Sequence, residues 1–379
     1  MKFVEVKHQP ERAKTYIGSP SLVRLPDGAL LASHDYFGQL FTLEGENGLT
    51  SIYRSEDNGQ TWENITHIVN AYWGTMISLP DGVYHIGVTR DYGDMVVRRS
   101  TDGGFTWSIP QDERTGVVMR GTPAGQPHQY RIETSGTELV HDGRVFKCFD
   151  RHAIEPGGPE WRADKFATGV MSAKIGTDLL DAANWTISNL VRFDYSQYGD
   201  PEVAGFGNGW LEGTLVPGPD GTLTELIRMH LKKYNKAGLL TLSDDGRRLS
   251  FDYRDGIIDF VGGDSRFTVR RDPKTGLYVT FSNYVAMEGD TVLTQRNRLC
   301  LSVSEDLRHW RIVRDALTDD TGLTPQFSSQ LTGFQYCAWH FDGDDDIILL
   351  SRTAYRGANT FHNANRLTFH RFEHWRDWL

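Results

Sequence analysis

Cysteine is scarce in this chain. Cys148, Cys300 and Cys337 are its three, and no two of them stand in a Cys-x-x-Cys pair. Three thiols cannot make a disulfide framework or a four-cysteine zinc site. Long apolar runs are also missing: none approaches the roughly 18 residues of a membrane-spanning helix. The opening stretch, MKFVEVKHQPERAK, lacks the apolar core of about 7–15 residues that marks a secretory signal. We therefore expect a cytoplasmic protein with no membrane partner. Basic residues are outnumbered, 40 to 50, for a formal net charge of −10. That balance argues against a nucleic-acid partner, which needs a basic footprint. No P-loop, dinucleotide fingerprint or His-Glu-x-x-His occurs.

What the chain does have is glycine and aromatic side chains: 39 Gly, 19 Phe, 15 Tyr and 10 Trp. This mixture suits sheets with many tight turns better than long helices. It also repeats itself. Residues 53–62 read YRSEDNGQTW and residues 98–107 read RRSTDGGFTW, both fitting Ser-x-Asp-x-Gly-x-Thr-Trp. A weaker copy runs from Ser304 to Trp310, and degenerate ones lie at 172–185 and 242–251. In such a turn the Asp accepts backbone N–H bonds and Gly allows positive φ. Asp57, Asp102, Trp62 and Trp107 are accordingly read as scaffold.

A second signal alternates with the first. Turn-forming groups at 25–28, 79–82, 141–143, 218–221, 272–276 and 341–343 are flanked by β-prone residues, as in SLVRLPDGALLAS. Each reads as a hairpin. Their glycines lie 54–78 residues apart, enough for about four short strands per unit. Repeated four-stranded units mean a β-propeller. We expect an all-β fold with six blades, seven being the alternative. Residues 1–379 form a single domain, because no linker divides them. The last strand-like stretch, NRLTFHRF (365–372), sits where a third strand should lie. The N-terminal KFVEVKH (2–8) is expected to supply the fourth and close the ring.

Propellers carry function where inner strands converge on the central channel, so polar residues at strand ends are the candidates. His34 and Asp35 end a strand in the first blade, and Arg90 and Tyr92 lie at the matching place in the second. Glu212 and Arg228 flank the fourth-blade hairpin, Arg270 and Asn283 the fifth, and Gln335 and Arg352 the sixth. His362 is a further ligand candidate and His370 reads as scaffold. His128 and His152 sit around an insertion at 112–135 that has the makings of a lid. The acidic run 342–346 lacks a calcium-loop pattern, since Thr353 and not Glu stands twelfth from Asp342. It reads as a charged hairpin tip. No metal ligands are assigned and no cofactor is required, though a structural calcium ion in the central channel is left open.

The repeated turns resemble the Asp boxes of the sialidase-like propeller superfamily, whose members include hydrolases, lyases and binders. Bacterial sialidases usually carry Arg-Ile-Pro ahead of the first hairpin, and the Arg clamps the sugar carboxylate. Here the stretch reads Tyr16-Ile17-Gly18-Ser19-Pro20, so that arginine is absent. The following SLVRLPDGALLASHDYFG resembles the start of the L-rhamnose-α-1,4-D-glucuronate lyases, first described as rhamnosidases. That resemblance implies a catalytic role for His34. WLEGTLVPGPDG, FTVRRDPKTGLY, RNRLCLSVSEDLRHW, GFQY and SRTAY resemble the same broad group. The lyase family's rings look seven-bladed, against the six counted here.

For β-elimination from a 4-linked uronic acid, a cation must neutralise the carboxylate, a base must take the C5 proton, and an acid can protonate the leaving O4. Arg suits the first task, His the second, and Tyr the third. His34, Arg90 and Tyr92 form the expected catalytic set. Asp35, Glu212, Arg228, Arg270, Asn283, Gln335, Arg352 and His362 are expected to bind substrate. Two other readings stand beside it. One is a glycoside hydrolase: a retaining glycosidase would use Glu212 and Asp35 as its carboxyl pair, whereas a sialidase-type exo-glycoside hydrolase would use Tyr284 as a tyrosine nucleophile. The other is a non-catalytic glycan-binding propeller.

Overall fold

In the turn from Ser55 to Trp62, one carboxylate organises the chain. Asp57 accepts the Thr61 N–H at 2.9 Å, the Thr61 hydroxyl at 2.6 Å and the Ser55 hydroxyl at 2.8 Å. Those hydrogen bonds, from Thr61 above all, hold its carboxyl down at about 2. The Trp62 indole N–H then donates to the Gly59 carbonyl at 3.1 Å. Asp102 and Trp107 repeat the arrangement. In the first box a Cβ at Gly59 would stand 2.3 Å from Phe369 Cε1. Gly59, at φ +86°, is thus required both by the backbone and by the neighbouring blade.

These turns recur because the sheets do. The computed structural model describes residues 2–38, 48–90, 93–121, 129–132, 138–153, 162–286 and 295–379. Among them are six antiparallel sheets of four to six strands, the six blades. The innermost strands are Ser21–Arg24, Tyr72–Leu79, Glu138–His141, Gly209–Pro217, Thr268–Arg271 and Gly333–Asp342. Val4–His8 pairs antiparallel with Arg366–Phe372, so the N-terminal strand completes the sixth blade as expected. No helix among the described residues is long and apolar enough to cross a membrane.

The apolar core divides as a ring should. It forms six clusters, each lying between two successive blades. Strand alternation explains this: Leu30 and Ala32 face blade six, while Leu31 between them faces blade two. The Asp-box tryptophans cap these clusters. Trp62 packs on the cluster shared with blade six, its ring 5.4 Å from Phe369, and Trp107 on the cluster between blades one and two. Their scaffold reading agrees with this placement.

Every inner strand runs from one face of the ring to a hairpin at the other. The starts of the inner strands and the ends of the second strands therefore share a face. That shared face gathers the polar groups described next.

Candidate active site

Three inner strands carry an irregularity at the same depth. The ladder slips between Tyr72 and Thr75, between Leu211 and Gly213, and between Gln335 and Ala338. Within the slips Trp73, Glu212 and Tyr336 take φ of +46°, +66° and +53°. Left-handed backbone at a non-glycine residue costs on the order of 1–3 kcal/mol and clusters at functional sites. A bulge also re-aims its side chain. Here two of the three re-aimed side chains meet.

The Tyr336 hydroxyl donates to Glu212 Oε1 at 2.8 Å. The other carboxylate oxygen, Oε2, accepts from Arg228 Nη1, which also lies 3.4 Å from the Tyr336 oxygen. Arg228 Nε donates to the Asp264 carbonyl at 3.0 Å. Glu212 is 1% and Arg228 6% exposed, so the pair is screened little by solvent. Burial alone would depress the Arg228 guanidinium, but the Glu212 carboxylate, with Tyr336, more than offsets it and raises it above its ordinary range.

Two more guanidinium groups stand over Tyr336. The carbon of Arg296 is 5.8 Å and that of Arg352 is 5.0 Å from the Tyr336 ring centre. Arg296 also lies over Phe361 and Arg352 over Phe37. Gln335 holds Arg296 by accepting from its Nη1, and is itself anchored by donating to the Phe361 carbonyl at 2.5 Å. Arg352 donates through Nη2 to the His362 carbonyl at 2.6 Å. The Nε atoms of Arg296 and Arg352 are buried with no hydrogen-bond partner. Burial, reinforced by Arg228 and Arg352, lowers Arg296 to about 10, and burial also depresses Arg352. Both remain charged at neutral pH. Asp35 faces this group, with Oδ2 accepting the Trp73 N–H at 2.7 Å. Its carboxylate and that of Glu212 both act on Arg352. Three guanidinium groups and the carboxyl groups of Asp35, Glu212 and Asp264, the last acting on Arg228, thus surround Tyr336.

Most of the expected binding residues come together on this face: Asp35, Glu212, Arg228, Gln335 and Arg352. Asn283 braces it from below, donating to the carbonyls of Phe334 at 2.9 Å and Arg298 at 3.0 Å. His362 contributes its carbonyl, and its ring meets Phe37 edge-on at 5.2 Å.

Of the expected catalytic set, His34 is not brought to this group. His34 is fully buried. Its Nδ1 donates to the Asp35 carbonyl at 2.9 Å, leaving Nε2 to accept from the Tyr53 hydroxyl at 3.2 Å. Burial lowers it to about 4. Being one residue before Asp35 on a strand, it points to the opposite side of the sheet. The hydrogen bonds and ring contacts that fix it, with Asp35, Tyr53 and Tyr36, lie within the first blade. Arg90 lies half-buried beyond the end of the second strand of blade two, its carbonyl accepting the Gly93 N–H. Tyr92 and His128 lie outside the described residues.

Arg270 is also displaced from its expected role. It sits near the hairpin end of its inner strand, donating to Glu138 at 2.6 Å and to the Trp339 carbonyl at 2.8 Å. That ion pair ties blades three, five and six deep in the channel, far down the strand from the face that holds Asn283. The blade-five residue at the depth of Glu212 is Arg266, which is 2% exposed. Tyr284 stands beside Arg298, 5.7 Å from its guanidinium carbon, and Tyr336 occupies the place beside Glu212. His370 is buried against Thr368, in keeping with a scaffold role. His152 ends the second strand of blade three and packs on Phe166 at 4.3 Å. In the 342–346 tip Asp342 pairs with Arg24 and Arg371, Asp346 with Arg371, and Asp345 with Arg376. Among the described residues no three His, Cys, Asp or Glu side chains gather to hold a metal ion.

Tyr336, Arg296 and Arg266 escaped the sequence reading. Tyr336 stood in the quoted GFQY, but nothing in that string reports a bulge.

No protein-family profile matches the chain, and no curated protein matches it by sequence. Its likeness to solved structures is extensive. The α-L-arabinanase of Penicillium chrysogenum, complexed with arabinobiose, is 14% identical, with 98% of each chain covered and a TM-score of 0.59. The α-L-arabinofuranosidase of Fusarium graminearum, in complex with an iminosugar inhibitor, is 14% identical over 98% of each chain, TM-score 0.60. The sialidase of Trypanosoma rangeli is 14% identical, TM-score 0.60, over 97% of this chain and 55% of that one. At such identities the shared property is the fold, a six-bladed β-propeller.

Proposed function

We propose that this propeller is a glycoside hydrolase that removes a terminal sugar carrying an anionic group, with Tyr336 as nucleophile and Glu212 as its base. The observation that carries this reading is the Tyr336–Glu212 hydrogen bond inside a pocket of three arginines. A tyrosine nucleophile is an established departure from the two-carboxylate rule for glycosidases. It suits an anionic sugar for an electrostatic reason. A carboxylate nucleophile would be repelled by the substrate's own charge, whereas the phenol is neutral until Glu212 takes its proton. As the Tyr336 oxygen bonds to the anomeric carbon, the glycosidic bond breaks and the leaving oxygen gains a proton. Asp35, the other carboxyl group acting on Arg352, is the candidate donor. Water then releases the sugar from Tyr336. Arg228, Arg296 and Arg352 hold the anionic group. The fold alone supports no particular substrate. That the similar structures are named as an arabinanase, an arabinofuranosidase and a sialidase supports hydrolysis of glycans as the reaction class.

The gathering of arginines over Tyr336 also favours a second reading, the elimination at a rhamnose-capped glucuronate. Tyr336 would then be the base in place of His34. Aryl glycosides of sialic acid, glucuronic acid and arabinofuranose, together with rhamnose-capped arabinogalactan, separate the cases. Sugar release without unsaturated-uronate absorbance supports the hydrolase. Release with rising absorbance supports the lyase. Glycan binding without release supports a binder. Full activity in Tyr336→Phe would sink both catalytic readings.

A further inference from the structure

Behind Glu212 lies a second carboxyl group with an unusual neighbour. Glu225, on the second strand of blade four, is fully buried. A Cβ at Gly213 would stand 1.8 Å from its Oε1. Any residue but glycine at 213 would therefore collide with Glu225, and Gly213 is the position that closes the bulge opened at Glu212. The third blade holds the same bulge from its other side. Asp150 Oδ2 accepts the Glu212 backbone N–H at 2.7 Å. The Thr168 hydroxyl donates to Glu225 Oε1 at 2.7 Å, and the Cys148 thiol lies beside it. Cys148 and Asp150 alternate on one strand and so face blade four together.

We propose that Glu225 is a positioning residue for Glu212: its carboxyl group fills the space that Gly213 leaves and, with Asp150, holds the bulge at the angle from which Glu212 meets Tyr336. This rests on the Tyr336–Glu212 reading above. A backbone held at φ +66° persists only if its surroundings over-determine it, and these two carboxyl groups are the surroundings.

The charge state of Glu225 matters to the arrangement. Burial raises it to about 8, against the opposing hydrogen bonds of Thr168 and Cys148. Through neutral pH it is an acid with its proton on. The ionisable group facing it is the Cys148 thiol, which burial pushes well up and on which Asp150 from blade three also acts. Among the described residues no lysine or arginine pairs with it. Ionisation would place a carboxylate among these groups with nothing to balance it, and the bulge is what can yield.

The sign of the stability effect follows. The folded state holds the Glu225 proton more tightly than the unfolded chain does. Its contribution is complete below about pH 4.5, where both forms are protonated, and is lost as pH rises toward about 8. Two measurements on the full chain decide the matter. In thermal melting from pH 5 to pH 9, the wild type should lose ground to Glu225→Gln up to about pH 8, with the gap constant beyond. Parallel curves would overturn the proposal, and this readout needs no substrate. In hydrolysis of whichever aryl glycoside the wild type accepts, kcat should fall about tenfold per pH unit above pH 8. Glu225→Gln should remove that limb, and Glu225→Ala should lower kcat about 10²-fold with KM little changed. An unchanged limb in Glu225→Gln would overturn the positioning role while leaving hydrolysis standing. A wild type that cleaves nothing sinks the hydrolase reading, and the melting comparison still decides whether Glu225 is a buried neutral acid behind the bulge.

Discussion

Gly18 and Asp35 occupy nearly the same space. The Gly18 N–H donates to the Asp35 carbonyl at 2.9 Å, and a Cβ at position 18 would stand 2.1 Å from Asp35 Oδ1. Position 18 is where the sialidase resemblance leads one to look for a carboxylate-clamping arginine. Asp35 is fixed in turn by the Trp73 N–H, so it cannot easily retreat. The missing arginine is thus a matter of room as well as of charge. Gly18→Ala should destabilise the fold by about 1–3 kcal/mol, the usual effect of overpacking, read as a lower melting temperature. Gly18→Arg should lose more and gain no sialic-acid glycosidase activity. Such a gain with unchanged melting would show that the site has space we do not see.

Tyr336→Phe removes the proposed nucleophile and keeps the ring beneath Arg296 and Arg352. Activity should drop by about 10²–10⁴-fold or more, with substrate binding retained. Glu212→Gln should fall in the same range, since it can still accept from Tyr336 but cannot take its proton. A double variant no worse than either single one would place both in one unit.

Arg296 and Arg352 are assigned to binding. Replacing either by Lys keeps the charge and loses the planar fork. KM for an anionic glycoside should rise about 10–100-fold, from roughly 1.5–3 kcal/mol of charged hydrogen bonding, and kcat should change much less. A neutral arabinofuranoside should respond weakly. Equal effects on both substrates would refute an anion-binding role.

His34 should matter for stability rather than rate. His34→Ala removes one of the Tyr53 hydroxyl's partners and opens a buried space, for a loss of about 1–3 kcal/mol. Folded variant protein should keep near wild-type turnover. Loss of turnover without loss of stability would return the base assignment to His34.

Three buried histidines, His34, His85 and His370, and the half-buried His340 set an acid limit. Burial first of all lowers His34 and His340 to about 4, and His85 and His370 to about 3. The unfolded chain binds these protons near pH 6.5, the folded one only well below. Their contribution is present above about 6.5 and is lost as pH falls toward 4. Melting temperature should drop over that interval. Replacing the least connected of them, His85, by Gln should shrink the drop.

Much of the architecture could be read before any coordinates. Asp57 and Asp102, with their Ser, Gly, Thr and Trp partners, act within eight or ten residues of chain, and such local chemistry repeats visibly. The hairpin glycines did the same for the blade count, and the unfinished last blade called for the N-terminal strand. Glu212, Arg228, Gln335 and Arg352 were found because strand ends can be located from those hairpins.

The errors came where position along a strand had to become position in space. Arg270 was paired with Asn283 as though both lay at one depth, but an inner strand runs through the ring and Arg270 is at its far end. His34 and Asp35 adjoin in sequence and face opposite sides of their sheet. Local composition thus determined the blades, their turns and their order. The meeting of Tyr336 from blade six with Glu212 and Arg228 from blade four was decided only when the ring closed. Two bulged residues with left-handed backbone then aimed at one axis, and that convergence of segments far apart in the chain leaves no periodic trace along it.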